Sequence, residues 1–365
     1  MKVYLLLMAV SCAVTMLCTP IIRRLAVTFH VLTPLRERDV HAVPTPRFGG
    51  VAITVGFEVA LILGHRIPYL RPLYADSVMW AVAFGVAAMC LLGIVDDIWE
   101  LDWMTKLAGQ IIITAVMAIK GVQLISFPIF GVTIGSSRLS LIVSMIVMVT
   151  LVNAVNFVDG LDGLAAGILG IGGLSFFFYS YFLARQVGAS SYATSAAVIV
   201  ITLAGCCMGF LWYNYHPASI FMGDSGSMVL GLIMASSAII VTGQVSPTQF
   251  GENTVAAGFL PIIVPIAVVM IPALDLMITA AGRMLRGKSP FTADRTHLHD
   301  RLLARGHSHR GVVTIMWAWT AYFCIAALSL LFSVRFALFW LVVAGIAVCA
   351  MTWFQFPSRR RESLR

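Results

Sequence analysis

Four stretches of this sequence gather groups that can do chemistry. In GIVDDIWELDWMTKLAGQ, Asp96 and Asp97 stand side by side at the end of an apolar run. Carboxylates sit poorly at a helix C-terminus, where the macrodipole is already negative, and two adjacent ones repel unless a cation or proton relieves them. In NAVNFVDGLDGLAAG, Asn153, Asn156, Asp159 and Asp162 recur every third residue, which aligns them along one face of a helix or tight turn. Four polar groups at the end of a membrane helix are costly unless they bind something. The competing reading is a glycine-rich turn in which Asp162 caps the helix that follows. In YNYHPASIFMGDSGSMVLG, Asp224 and Ser225 open another apolar run, either as an N-cap or as a metal or phosphate site at a helix N-terminus. Asn214 and Phe221, just upstream, suit the edge and face of a nucleobase. The segment 282–310 holds His297, His299, His307 and His309 among seven basic residues. A loop that grips phosphate fits that surplus better than a membrane-surface amphipathic segment. Its H-x-H pair lacks the H-E-x-x-H pattern or cysteines of a zinc site.

Hard carboxylate and amide oxygens without thiolates favour Mg²⁺, with Mn²⁺ as a substitute. The D-x-D-x-D-G spacing of a calcium loop is missing. All seven cysteines fall inside apolar runs and none forms C-x-x-C, which argues against a disulfide framework and a thiolate metal site. Magnesium, basic residues and helix N-termini are the usual equipment of phosphoryl transfer, where the protein positions groups and neutralises developing charge. Two further acids stand inside apolar runs. Asp275, in IPALDLMIT, belongs near the same face, and Glu58 is expected to be satisfied by a buried hydrogen bond.

The elements that must position these residues are membrane helices. Of the 365 residues 60% are hydrophobic and 11% charged, where a soluble domain keeps about a quarter charged; mean hydropathy is +0.94. Windows of span length lie at 3–22, 48–65, 78–95, 105–120, 139–156, 164–184, 192–212, 226–242, 257–281, 312–333 and 335–355. Backbone groups in lipid must be satisfied within the segment, so the expectation is an all-α polytopic bundle of eleven helices, or ten if the last two merge. The first span continues to Ile22 without a small-residue cleavage site and is read as a retained helix. With the N-terminus outside and the C-terminus cytoplasmic, seventeen of the 24 lysines and arginines fall in cytoplasmic loops, as the positive-inside bias requires. Thirteen of the 16 acids gather in or beside the same loops, which points to a site at the cytoplasmic face. The net charge of +8 suits anionic lipid and phosphorylated substrates, and nucleic acid need not be invoked. One integral membrane domain is expected over 1–365, with a basic, histidine-bearing loop at 282–311 and a basic tail at 356–365.

PRFGG, GIVDD, NAVNFVDGLDGLAAG, FMGDSGS and DRTHLHDRLLARGHSHR occur in this order. Over residues 20–311 the chain thereby resembles the polyprenyl-phosphate N-acetylhexosamine-1-phosphate transferase family. The pairing of N-x-x-N-x-x-D-G-x-D-G-L with F-M-G-D-x-G-S is highly specific. The resemblance implies that a polyprenyl phosphate attacks the β-phosphorus of UDP-N-acetylglucosamine and releases UMP. That reaction begins teichoic acid, O-antigen or arabinogalactan linkage units in the bacterial cytoplasmic membrane. It implies Mg²⁺ on Asp224 and Asn156, uridine recognition by Phe221, Asn214 and the backbone of Asp159 and Gly160, and an acceptor phosphate oriented or deprotonated by Asp96 and Asp97. His297 and His299, with Arg295 and Arg301, would hold the sugar-phosphate end. Arg47, Asn153, Asp162 and Asp275 complete the substrate-binding set, and a homodimer is compatible with the resemblance.

Two departures from the family patterns matter. The branch that uses UDP-MurNAc-pentapeptide carries P-x-H-H-H-x-E; here Leu298 interrupts the histidines, which favours the N-acetylglucosamine branch. A D-D-x-x-K lysine is missing, since Ile98, Trp99 and Glu100 follow Asp97, and Lys106, the nearest lysine, receives no assigned role. A polytopic transporter is the rival from another class, but it predicts ionisable groups at mid-membrane in both halves, where only Glu58 stands. A CDP-alcohol phosphotransferase would need D-G-x-x-A-R, and DGLDGLAAG has no such arginine.

Overall fold

The computed structural model describes residues 1–29, 31, 45–124, 136–187, 191–243, 255–287 and 297–353. Among these the chain is helical and contains no β-strand. In order come α1 (Lys2–Thr28), α2 (Gly49–Arg66), α3 (Ser77–Trp99), α4 (Trp103–Ile119), α5 (Ser137–Val158), α6 (Leu164–Val187), α7 (Tyr192–Asn214), α8 (Gly223–Thr242), α9 (Val255–Val268), α10 (Met270–Leu285), α11 (Leu298–Ala304), α12 (His309–Ser329) and α13 (Val334–Trp353).

Each of the eleven hydropathy windows contains a helix. Nine helices among the described residues are long and apolar enough to cross a membrane, and α9 with α10 makes a tenth if the bent pair is one span. The window 257–281 is not one straight helix, because α9 and α10 meet at 69°. The cause is local: Pro272 has no N–H to return to the Val268 carbonyl, and its ring crowds that position. α4 is apolar but only 17 residues long. Its start is fixed by Asp102, whose carboxylate accepts from the Met104 and Thr105 N–H groups at 3.0 and 3.1 Å, as an N-cap should.

The bundle is built around α7 and α8. The membrane window of α8 is 94% buried within the protein and that of α13 only 6%, so nearly all the surface of α13 is left uncovered by the rest of the described chain. α8 packs against α3 and α5, with α2 and α7 completing its surround. The first turn of α8 touches its neighbours backbone to backbone. A Cβ on Gly50 of α2 would collide with the Gly226 amide, and one on Gly93 of α3 with the Ser225 backbone. Close approach through small residues is how helices associate where lipid supplies no hydrophobic drive.

Successive spans alternate in direction. The C-terminal ends of α3, α5 and α7 therefore meet the N-terminal ends of α2, α4, α6, α8 and α12 at one end of the bundle, and all four chemistry-bearing motifs lie there. Glu58, midway along α2, departs from expectation: its Oε1 is buried and makes no hydrogen bond. The basic tail lies outside the described residues, as do Arg295 and the centre of the 282–311 loop.

Candidate active site

The two adjacent aspartates of α3 are relieved by different means. Lys106, one turn into α4, places Nζ 2.7 Å from Asp96 Oδ2 and 3.0 Å from Asp224 Oδ2, with Asn156 Oδ1 at 3.5 Å. Asp97 instead accepts from the backbone N–H groups of Asp224 and Ser225, at 2.9 and 3.1 Å. A carboxylate from another helix thus supplies the cap of α8, where the unpaired amides and the positive end of the macrodipole favour an anion. Neither Asp224 nor Ser225 caps its own helix; the N-cap position is Met222, without a side-chain hydrogen bond. Gly223, at φ +67°, makes room for this arrangement, since a Cβ there would stand 2.5 Å from Asp97 Oδ2.

Asp224 is freed from capping and faces a cavity of 290 Å³. The cavity is lined by Arg47, Asp97, Asn156, Asp159, Gly160, Leu161, Asp162, Asn214, Phe221, Gly223 and Asp224. Nine of these eleven belong to the sequence-derived set; Leu161 and Gly223 are additions. Asn156 donates its amide to Asp224 Oδ1 and, at 2.8 Å, to Ser227 Oγ. α5 ends at Val158, so Asp159 emerges at the cavity wall. Burial, then the nearby Asp224, Asp97 and Asp162 carboxylates, raise its pKa to about 8, against the opposing pull of Arg47.

Other expected residues serve as walls. Asn214 is buried; its Oδ1 accepts from the Gly163 N–H at 3.0 Å and its Nδ2 donates to the Ile220 carbonyl at 3.0 Å. Its amide braces the 159–163 turn against the loop that carries Phe221. Asn153 faces away from the cavity and donates to Gln110 Oε1 at 2.6 Å and to the Val149 carbonyl at 2.8 Å. Asp162 turns its carboxylate toward the loop between α7 and α8, where His216 and the Ala218 N–H meet it.

The histidine segment closes over the same end of the bundle. Asp275 of α10 is buried, and its carboxylate binds His297 Nδ1 at 2.8 Å and the Leu298 N–H at 2.5 Å. Arg283 lies 3.4 Å from His297 Nε2, which fixes which ring nitrogen faces which partner. His297 and His299 stack with centroids 5.5 Å apart. His299 in turn lies against Gly160, so closely that a Cβ there would clash with Nε2; this puts it at the cavity's edge. Burial lowers the pKa of His299, with Asp300 and Asp275 pulling the other way. Arg301 is exposed on α11. Ser227 and His216 are neighbours of the site that sequence reasoning passed over, and Lys106 and His309 were noticed there without a role of their own.

The donor set fits a divalent cation. Carboxylate and amide oxygens of Asp96, Asp224 and Asn156 already converge on one positive group, the Lys106 ammonium, and Asp159 stands among carboxylates that raise its pKa. A hard cation is what such oxygens select. Asp224 is the ligand the geometry offers most directly, and Asn156 would present Oδ1, the atom now turned to Lys106.

Taken together, the helix bundle and a cavity of convergent acids at one end define a multi-pass membrane protein built for chemistry on a charged group at the membrane surface. Comparison with known proteins makes this specific. The model of glycosyl transferase family 4 matches residues 79–242. The chain is 39% identical over 324 residues to decaprenyl-phosphate N-acetylglucosaminephosphotransferase of Mycolicibacterium smegmatis, covering 87% of this chain and 80% of that protein. It is 32% identical over 326 residues to a probable undecaprenyl-phosphate N-acetylglucosaminyl 1-phosphate transferase of Bacillus subtilis, covering 88% and 83%. It is 28% identical over 380 residues to phospho-N-acetylmuramoyl-pentapeptide-transferase of Mycolicibacterium gilvum, covering 94% and 100%. The chain belongs to glycosyl transferase family 4, within its polyprenyl-phosphate N-acetylglucosamine-1-phosphate transferases, and is an enzyme.

Proposed function

We propose that this enzyme transfers N-acetylglucosamine-1-phosphate from UDP-N-acetylglucosamine to a polyprenyl phosphate, giving polyprenyl-diphosphate-N-acetylglucosamine and UMP. The observation that carries the reading is the 39% identity to a decaprenyl-phosphate N-acetylglucosaminephosphotransferase over 87% of the chain. The lower identity to a pentapeptide transferase, 28%, and the interrupted histidine run support the N-acetylglucosamine donor. The basic residues of the loops at the site's end of the bundle support a cytoplasmic site in a bacterial cytoplasmic membrane, at the first membrane step of a cell-envelope polysaccharide.

The acceptor phosphate has a second pKa of about 6, as other phosphomonoesters do, so its dianion is abundant at neutral pH. No strong base is then required, and a direct displacement follows. An acceptor oxygen forms a bond to the β-phosphorus, and the bond from that phosphorus to the oxygen bridging the α-phosphorus breaks. That oxygen leaves with UMP. Phe221 and the 159–163 turn hold the nucleoside end, Arg47 faces the diphosphate, and His297 and His299 hold the sugar-phosphate end from the rim. Lys106 restrains Asp96 and Asp224 so that the acids keep their places. Mg²⁺, held by Asp224 and Asn156, would neutralise charge developing on the phosphate oxygens. The test is UMP release by purified protein given UDP-N-acetylglucosamine, polyprenyl phosphate and Mg²⁺. A phosphorylated Asp96 or Asp97 trapped from labelled donor would replace direct displacement with a two-step route.

A further inference from the structure

Asp162 sits in the 159–163 turn that lines the cavity, and its surroundings are more elaborate than a turn needs. It is 3% exposed. His216 Nδ1 lies 2.6 Å from Oδ2, and the Ala218 N–H donates to the same oxygen at 3.1 Å. The Asp162 N–H donates to His309 Nε2 at 3.1 Å, so that ring nitrogen carries no proton. The two imidazoles stack at 4.1 Å with 20° between their planes. Arg310 adds a bond from Nη2 to the His216 carbonyl at 3.1 Å. Three separate elements meet here: the turn after α5, the loop before α8 and the first residue of α12.

One carboxylate oxygen and two ring nitrogens lie within 4.8 Å of one another, which invites a metal reading. The ring geometry speaks against it. Ligand lone pairs lie in the imidazole plane, and near-parallel rings 4.1 Å apart cannot both aim at one ion. His309 Nε2 is also already an acceptor. The arrangement is a hydrogen-bonded clasp.

We propose that His216 and His309 are positioning residues that hold the 159–163 turn, and with it the nucleotide side of the cavity, in its binding geometry; this rests on the transferase reading above. The clasp acts through Asp162, on one side through the carboxylate and on the other through the backbone N–H. It makes an atom-specific demand. His216 must present a donor at the Nδ1 position, and His309 an acceptor at the Nε2 position. An asparagine amide ends at about the reach of Nδ1 and a glutamine amide at about that of Nε2. His216→Asn and His309→Gln should therefore preserve the clasp, whereas His216→Gln and His309→Asn should break it.

The test is steady-state kinetics of UMP release by the four full-length variants in detergent, with UDP-N-acetylglucosamine and polyprenyl phosphate varied in turn and melting temperature recorded for each. His216→Asn and His309→Gln should keep the KM for the nucleotide sugar within about threefold of wild type. His216→Gln and His309→Asn should raise it about tenfold or more, the effect of a buried hydrogen bond to a charged or oriented partner. The KM for the lipid phosphate should stay unchanged in all four. Equal effects of Asn and Gln at either position would overturn the clasp, as would a change confined to the lipid KM. If a clasp-breaking variant fails to fold, its preserving partner still decides, because loss of nucleotide affinity in a folded His216→Asn or His309→Gln contradicts the proposal. Stoichiometric zinc retained by the wild type would contradict it as well. A wild type that releases no UMP overturns the transferase reading instead, so the two failures are distinct.

Discussion

At the scale of single residues, Lys106 and Asp159 carry the electrostatics. The ammonium of Lys106 holds Asp96 and Asp224 together, and breaking a buried pair by removing one partner costs ~3–5 kcal/mol. Lys106→Met keeps the length of the chain without the charge. It should lower the melting temperature, by a destabilisation of about 3 kcal/mol at most because the pair is partly exposed, and reduce kcat/KM. It should also raise the increase in melting temperature that Mg²⁺ produces, because the two acids then lack their own cation. Thermal melts with and without Mg²⁺ read that difference. Asp224→Asn should abolish activity and Mg²⁺ dependence together; retention of both would move the metal elsewhere. Asp159 has a raised pKa, about 8, against about 3.9 in an unfolded chain. Between these values the folded state binds more protons than the unfolded one, so this residue makes stability fall as pH rises from about 4 to about 8. In protein stripped of divalent ions, Asp159→Asn should therefore raise the melting temperature at pH 8 and lose that advantage toward pH 4. An advantage that instead grew in acid would contradict the crowding of carboxylates around it.

At the scale of elements, the site depends on how α8 is seated. Its first turn is wedged against Gly50 and Gly93 and capped by Asp97. Gly93→Val adds bulk where the Ser225 backbone already stands, and overpacking of this kind costs ~1–3 kcal/mol. The variant should melt lower and lose activity, though residue 93 lies outside the cavity lining; unchanged melting would mean that α3 and α8 are not in contact. Much of this was legible in the sequence. Hydropathy located a helix in every window, and the repulsion between Asp96 and Asp97 marked them as needing relief. Their separate solutions were not legible, because Lys106 lies on another helix and the amides that receive Asp97 belong to α8, 127 and 128 positions away. Asn153, Asn156 and Asp159 follow one spacing but diverge, since α5 ends at Val158 and each side chain meets a different neighbour. Asn214 was expected to meet a nucleobase; it lines the cavity, and its amide also ties two loops together, which the sequence did not show. His216 carried no pattern, and His309 was visible only as one of the clustered histidines, because Asp162 joins the two only in the folded chain.

At the scale of the whole molecule, alternation of span direction brings the motifs to one end, and the positive-inside bias predicts that this end faces the cytoplasm. Single cysteines introduced at Glu100 and at Arg71, in a background without the seven native cysteines, should label from opposite sides of inverted and right-side-out vesicles. Labelling of both from one side would break the alternation on which the site depends. α13 packs against α12 and contributes little to this assembly, which leaves the chemistry to the helices that surround α8. The most direct measurement of the central claim is product formation by purified protein with UDP-N-acetylglucosamine, polyprenyl phosphate and Mg²⁺, beside UDP-MurNAc-pentapeptide as a competing donor. The account predicts UMP and polyprenyl-diphosphate-N-acetylglucosamine in equal amounts, only when the lipid phosphate is present. Folded protein that releases no UMP, or releases it only from the pentapeptide donor, would contradict it.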